Sequence, residues 1–305
     1  MDDTKRDLHM KQEIFIARDG RRLGCSLWDD VAHPRGVVQI IHGMDEYVNR
    51  YDRFAKFLNK NGYIVFGDDH RGHGRTAGNA TKVGKPDGDT DIFSATVDDE
   101  IEILKFLKQK YKLPVLLFGH GYGSFITQRI MENTKLCTAG VCLSGGGRYS
   151  LGMLWMGIIV AWVGMKLWGA NACARFIEFW SPVRGKLKAA HKLTRDPVQA
   201  NVRDTSVWRG ECFAYGFYYS LFKNLIKLNQ DACPETPLLI ISGGRDIVNL
   251  NGRLAASLYR AYGARDMKNL TFLIYPEAKH DLLLDLDYQD VQNDIVEFFN
   301  RAIRK

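Results

Sequence analysis

The chain is predicted to be an α/β protein with a mostly parallel, doubly wound sheet and a helical insertion. Three observations predict this. Apolar runs such as residues 36–41, 63–66 and 113–118 are continuous rather than alternating, as expected of strands buried on both faces. Stretches with helical spacing separate them. Between Arg148 and about Gln230 the pattern is helical, with no clear strand. The 305 residues are enough for one such domain and its insertion. We place the core at residues 1–147 and 231–305 and a helical lid, or cap, at 148–230.

Residues 13–17 and 23–28 alternate like two strands joined by the turn Asp19-Gly20, a hairpin signal. The strand at 36–41 follows. Residues 51–58 have helical spacing, with Phe54, Phe57 and Leu58 on one side and Asn61-Gly62 as a stop. A buried strand at 63–66 and an amphipathic helix at 95–111 come next, the latter built on Ile101, Leu104, Phe106 and Leu107. A strand at 113–118 leads into a helix at 125–131, and a strand at 140–144 precedes the insertion. Alternation resumes with a strand at 237–242, a helix at 253–262, a strand at 270–275 and a closing helix at 291–303.

Composition excludes several classes. Hydrophobic content of 46% and charged content of 25% are ordinary globular values. A net charge of +7 is carried by scattered residues without a zinc-finger or helix-turn-helix signature, so no nucleic-acid partner is expected. Six separated cysteines, none in a C-x-x-C pair, argue against a metal site or a disulfide framework. The polar start, MDDTKRDLHMKQE, lacks the apolar core of a signal peptide, so a reducing, cytoplasmic setting is expected. Residues 151–165 carry no charge and fall short of the ~20 residues needed to span a bilayer. A buried or ligand-facing helix and a membrane-docking helix both fit them, and a spanning helix fits least.

The run Gly119-His120-Gly121-Tyr122-Gly123-Ser124 lies between a strand and a helix, where a G-x-S-x-G elbow would lift a nucleophilic serine above the sheet. Here Gly121 holds the serine's place. Asp246 and His280 follow the next two strands beyond the insertion, in the chain order of an acid and a base after a nucleophile. Each also has a plain reading: Asp246 as a helix cap, His280 as a loop residue. The oxyanion donors would be the backbone N–H groups of Tyr122 and Met44, the latter in the turn after the 36–41 strand, which is otherwise a simple tight turn. His120 is expected to face the sheet packing, and Ser124 to point away from the site.

His42-Gly-Met-Asp-Glu46 with Arg50-Tyr-Asp-Arg-Phe54 resembles the H-G-x-x-E-H…R-Y opening of the monoacylglycerol lipase and lysophospholipase-like α/β-hydrolases. Asp69-His-Arg-Gly-His-Gly-Arg75 is similar to that family's D-H-R-G-H-G-x-S stretch, with Thr76 for serine. Thr194-Arg-Asp-Pro197 is similar to its S-R-D-P cap segment, and the matches run from about Glu13 to His280. The resemblance implies the α/β-hydrolase fold, a helical cap, an apolar acyl channel and hydrolysis of lipid-like carboxylic esters without metal or cofactor. The chain departs from the family at Gly121 and, mildly, at Asp281, where glutamate is usual.

Glycine fits an elbow's backbone but supplies no oxygen to acylate. The leading expectation is therefore a lipid-ester hydrolase scaffold disabled at Gly121. Its rival is a non-catalytic member that binds an acyl ligand or a protein. Amide or peptide bonds are a further option for the parent chemistry. Leu151, Leu154, Trp155, Ile158, Ile159 and Trp162 form an apolar stripe, read as substrate-binding or as a membrane contact. Arg184, Lys186, Lys188, Lys192 and Arg195 add a basic cluster beside it, with a solvated face as the alternative reading.

Overall fold

A computed structural model describes residues 9–136, 138–180, 190–229 and 231–304. Eight strands form one sheet: β1 Lys11–Ile16, β2 Arg22–Trp28, β3 Gly36–Ile41, β4 Tyr63–Asp68, β5 Val115–His120, β6 Gly140–Ser144, β7 Leu238–Gly243 and β8 Leu270–Tyr275. Their spatial order is β1-β2-β4-β3-β5-β6-β7-β8. The β1–β2 and β2–β4 pairs are antiparallel and the rest are parallel.

Helices cover both faces, because parallel neighbours require crossovers. They are α1 Asp52–Lys60, the short α2 Gly74–Ala77, α3 Ile92–Tyr111, α4 Tyr122–Met131, α9 Arg253–Gly263 and α10 Tyr288–Ala302. Val38, Ile40, Val65 and Phe118 pack with α1 and α10, while Val37, Ile41, Phe66 and Leu117 pack with α3, α4 and α9. Alternate residues of one strand thus serve two cores, which is why these strands read as unbroken apolar runs.

Element ends moved by a few residues. The helix expected from 95 begins at Ile92, because Asp91 caps it by accepting from Ser94 N–H at 3.2 Å. The same carboxylate accepts from Ser220 and Asn224, tying α3 to the insertion. The closing helix starts at Tyr288 rather than Val291.

Between β6 and β7 the described residues hold α5 Leu151–Trp168, α6 Arg175–Trp180, α7 Pro197–Asp204 and α8 Tyr215–Leu225, and no strand. One expectation is corrected here. Cys173 and Cys212, 39 residues apart, form a disulfide, although their spacing suggested none. The chain brings them together by pairing the segment before α6 with the one before α8, where Ala174 N–H donates to Phe213 O at 2.9 Å. Cys137, Arg184, Lys186 and Lys188 lie outside the described residues.

By length and composition α5 is apolar enough to cross a membrane. One side packs against the insertion, with Leu154, Ala161 and Gly164 buried. The other leaves Leu151, Trp155, Ile159 and Trp162 between 49% and 60% exposed. Of the segment read as either a buried or ligand-facing helix or a membrane-docking one, one face is buried and the other exposed.

Candidate active site

Gly121 alone separates β5 from α4, at φ 50° and ψ −112°. Side chains rarely adopt this conformation, and glycine does so without a steric penalty. The turn is pinned on both sides: Gly121 N–H donates to Ser144 O at 2.9 Å, and Ser124 N–H donates to Gly121 O at 3.1 Å. Gly123 has a different reason to be glycine. A Cβ there would fall 2.0 Å from Ile41 O, so α4 meets the end of β3 only without a side chain.

Asp246 and His280 are brought together. Asp246 is fully buried, and its Oδ2 accepts from His280 Nδ1 at 2.8 Å. Its Oδ1 accepts from the N–H groups of Val248 and Asn249 at 2.9 and 3.1 Å. One oxygen thus faces the imidazole and the other fastens the turn at 248–249; the expected helix cap is not made, because α9 begins after Gly252 without a side-chain cap. The other edge of the His280 ring faces the elbow: its Nε2 lies 3.3 Å from where a Cβ on Gly121 would stand. Burial pulls the His280 pKa down, but the charge and hydrogen bond of Asp246 outweigh it and hold it above the ordinary value.

The turn after β3 is braced from beneath by Glu46. Its Oε1 accepts from Gly43 N–H at 2.5 Å and from the Tyr51 hydroxyl at 2.7 Å, and its Oε2 meets Arg50 Nη1 at 2.8 Å. Burial opposes that charge, yet Arg50 and His120 hold the Glu46 pKa down at about 2. Met44 and Tyr122 border the same cavity as Gly121 and His280.

The remaining motif residues are structural braces. His42 and His70 stack with centroids 3.8 Å apart, and burial together with His70 pulls the His42 pKa down to about 3. Asp69 accepts from Val48 N–H at 2.8 Å and from Arg75 Nε at 2.7 Å. Thr76 Oγ1 accepts from Gly24 N–H at 2.9 Å. In the T-R-D-P run, Thr194 donates to Leu284 O at 2.7 Å, Arg195 pairs with Asp285 and Asp287, and Asp196 caps α7.

His120 is placed differently from expectation. Rather than facing the sheet packing, it borders the cavity, with its ring 4.8 Å from that of His280. Its Nδ1 lies 3.2 Å from Ser144 Oγ, and its Nε2 lies 3.4 Å from Asp281 Oδ1. The last residue of β5 pairs with Ser144 of β6 on one side, while β3 ends one residue earlier on the other. Ser124 does point away: its hydroxyl donates to Gly121 O at 2.7 Å.

A cavity of about 560 Å³ opens over Gly121, within the size range of small-molecule sites. Of the six stripe residues, Leu154 lines it, and Leu151, Trp155, Ile158, Ile159 and Trp162 do not. The α5 face that lines it carries Met153, Leu154, Met156, Gly157 and Val160, joined by Phe176 and Phe222. An unbroken apolar helix has no polar side, so periodicity could not distinguish the inner face from the outer. Sequence reasoning also missed Arg203 of α7, which lines the cavity at 5% exposure and meets Asp281 Oδ2 at 3.0 Å.

His120, His280 and Asp281 offer ligand atoms within 4.8 Å of one another. A cation there would face the guanidinium groups of Arg203 and Arg50, which already hold Asp281 at 3.0 and 3.5 Å.

Comparison with known proteins follows this geometry. A family described as serine aminopeptidase, S33, matches residues 32–287. A monoglyceride lipase homolog of Monkeypox virus is 32% identical over 137 residues, covering 44% of this chain and 47% of the viral protein. That match therefore spans about half the relative's length. A monoacylglycerol lipase of Mycolicibacterium smegmatis is 24% identical over 307 residues, covering 94% of this chain and 96% of the relative. Among solved structures, a thermostable carboxyl esterase from Bacillus coagulans in complex with glycerol superposes with TM-score 0.82 at 22% identity, covering 96% of this chain and 99% of the esterase. This likeness shows the α/β-hydrolase fold.

Proposed function

The chain belongs to the serine aminopeptidase, S33 family of α/β-hydrolases, and on that premise we propose that it is a lipid-ester hydrolase scaffold of the monoacylglycerol type whose nucleophile has been lost at Gly121. The observation that carries this reading is the 3.3 Å between His280 Nε2 and the Cβ position of residue 121. A hydroxymethyl group there would place its oxygen within hydrogen-bond reach of the imidazole.

With serine at 121, its Oγ attacks the ester carbonyl carbon while His280 Nε2 takes the hydroxyl proton. The carbonyl oxygen becomes an oxyanion, which the N–H groups of Met44 and Tyr122 receive. Asp246 holds the ring's tautomer and stabilises the imidazolium, which returns the proton to the departing alcohol. Water then repeats the sequence on the acyl-enzyme, releasing the fatty acid. With glycine no acyl-enzyme forms. The 148–230 segment would act as the cap whose inner face holds the acyl chain. The test is hydrolysis of a panel of monoacylglycerols and other acyl esters by this chain and by Gly121→Ser. Silence from both would overturn the reading in favour of a natural acyl-ligand or protein binder. Gly121 is what favours that second reading.

The pH dependence follows from the Asp246–His280 pair. Catalysis needs His280 unprotonated, so a raised pKa moves the rising limb of kcat/KM in Gly121→Ser above about pH 6.5, the ordinary histidine value. Adding Asp246→Asn removes the charge that raises it, so the limb moves acidward, and turnover falls by about 10⁴-fold. A limb that stays in place would separate Asp246 from the chemistry.

Two adjacent residues of α5 discriminate its faces. In the Gly121→Ser background, Leu154→Trp should shift preference toward shorter acyl chains by filling the cavity. Trp155→Asp should leave turnover of a soluble short-chain ester unchanged and weaken cosedimentation with phosphatidylcholine vesicles. Equal effects of both on chain-length preference would refute the assignment of the inner face.

A further inference from the structure

Without a nucleophile the site keeps a polar end on an otherwise largely apolar pocket. His280 is 7% exposed, and its Nδ1 is engaged by Asp246. Its Nε2 has no hydrogen-bond partner among the described residues and points to the space above Gly121, where glycine leaves one side chain's worth of room. Tyr122 opens the ten-residue helix α4, whose first N–H groups lack intrahelical acceptors. A helix N-terminus favours an anion. Away from Glu46, His120, Arg203 and Asp281 the cavity wall is apolar, with Leu154, Val160, Phe176, Leu221 and Phe222.

We propose that this chain holds a long-chain carboxylate, the anion of a free fatty acid, with its head over Gly121 and its tail in the cavity. The proposal rests on the lipid-cavity reading above and names what the site retains once it cannot turn an ester over. One carboxylate oxygen accepts from protonated His280 Nε2, and the other faces the N–H groups of Tyr122 and Met44. An ester carbonyl is neutral and gains less from a cationic donor than a carboxylate does.

The charges around His280 permit this. Asp246 sits on its far nitrogen, His120 packs against its ring, and Asp281 and Arg203 border the same cavity. Asp281 is already countered by Arg203 at 3.0 Å and Arg50 at 3.5 Å, and Glu46 by Arg50 at 2.8 Å. The neighbouring carboxylates therefore do not leave a naked negative charge against the ligand. The Asp246 pair keeps the proton on His280 to higher pH than for an ordinary histidine, so the cationic form persists toward neutrality.

The test compares decanoate with decanol by isothermal titration calorimetry between pH 6 and pH 9, using the whole chain. Decanoate should bind about tenfold or more tightly at pH 6, the range of a hydrogen bond to a charged group. That preference should shrink as pH rises and His280 loses its proton. His280→Gln should remove the preference and leave decanol affinity in place. Gly121→Ser should weaken decanoate by refilling the space and engaging Nε2. Equal affinities at pH 6, or a preference that survives both variants, would overturn the proposal. Its failure is distinct from failure of the hydrolase reading. If Gly121→Ser turns over monoacylglycerols while the parent shows no carboxylate preference, the inference falls and the scaffold reading stands. A carboxylate preference with a silent Gly121→Ser supports the inference and removes the scaffold reading.

Discussion

Gly121→Ser should raise monoacylglycerol turnover by on the order of 10⁴–10⁶-fold, the scale lost when a serine hydrolase loses its nucleophile. The gain requires that little else move. Asp246 and His280 are already 2.8 Å apart, and the ring already faces residue 121. A new Cβ at 3.3 Å from Nε2 is slightly crowded, so the imidazole must retreat by a few tenths of an ångström. The backbone imposes a second cost. At φ 50° and ψ −112° serine is strained where glycine is not, by about 1–3 kcal/mol. With about 2.1 cal/mol/K of unfolding entropy per residue, that lowers Tm by roughly 2–5 °C. Activity should therefore rise as stability falls, read by ester hydrolysis and thermal denaturation on one preparation. A serine variant that is inactive yet folded would show that the remaining groups are not poised for acyl transfer.

Asp281→Ala should destabilise the fold by about 3–5 kcal/mol, the cost of breaking a buried ion pair from one side. Asp281 is 3% exposed and holds Arg203 at 3.0 Å and Arg50 at 3.5 Å. Its removal leaves Arg203, itself 5% exposed, with Asp45 at 3.9 Å and the charge of Glu46. It also perturbs the loop in which Asp281 N–H donates to Leu193 O at 2.9 Å. Tm should fall by roughly 5–8 °C on the same entropy scale. The pH dependence has a definite sign. Burial raises the Asp281 pKa, but Arg203 and its neighbours drive it well below the carboxylate range. Its stabilisation is then full above the unfolded value near about pH 4 and is lost as pH falls through the folded value. The gap between wild type and Asp281→Ala in urea should be constant at neutral pH and narrow in acid. A gap under about 1 kcal/mol would make the network a surface-like one.

The fold was legible because doubly covered strands must be apolar on both faces. Val37 and Val38 serve opposite cores, and no polar residue interrupts the pattern until Gln39, whose amide donates to Glu100. The elbow was legible for the same kind of reason, since the residues around it are dictated by close approach rather than by chemistry. Helix starts were less so: the Asp91 cap extends α3 by three residues beyond the apolar pattern. The inner face of α5 was illegible, because an all-apolar helix gives periodicity nothing to contrast.

The sequence by itself determined the sheet, the order of its elements, and the positions of Gly121, Asp246 and His280 at strand ends. Local pattern and turn chemistry suffice for these. Only the tertiary structure decided that His120 turns into the site, that Arg203 reaches Asp281 across 78 residues, and that Cys173 meets Cys212. It also decided which side of α5 lines the cavity. Each of these depends on which surfaces meet when distant segments pack, and a burial preference or a charge does not name its partner along the chain.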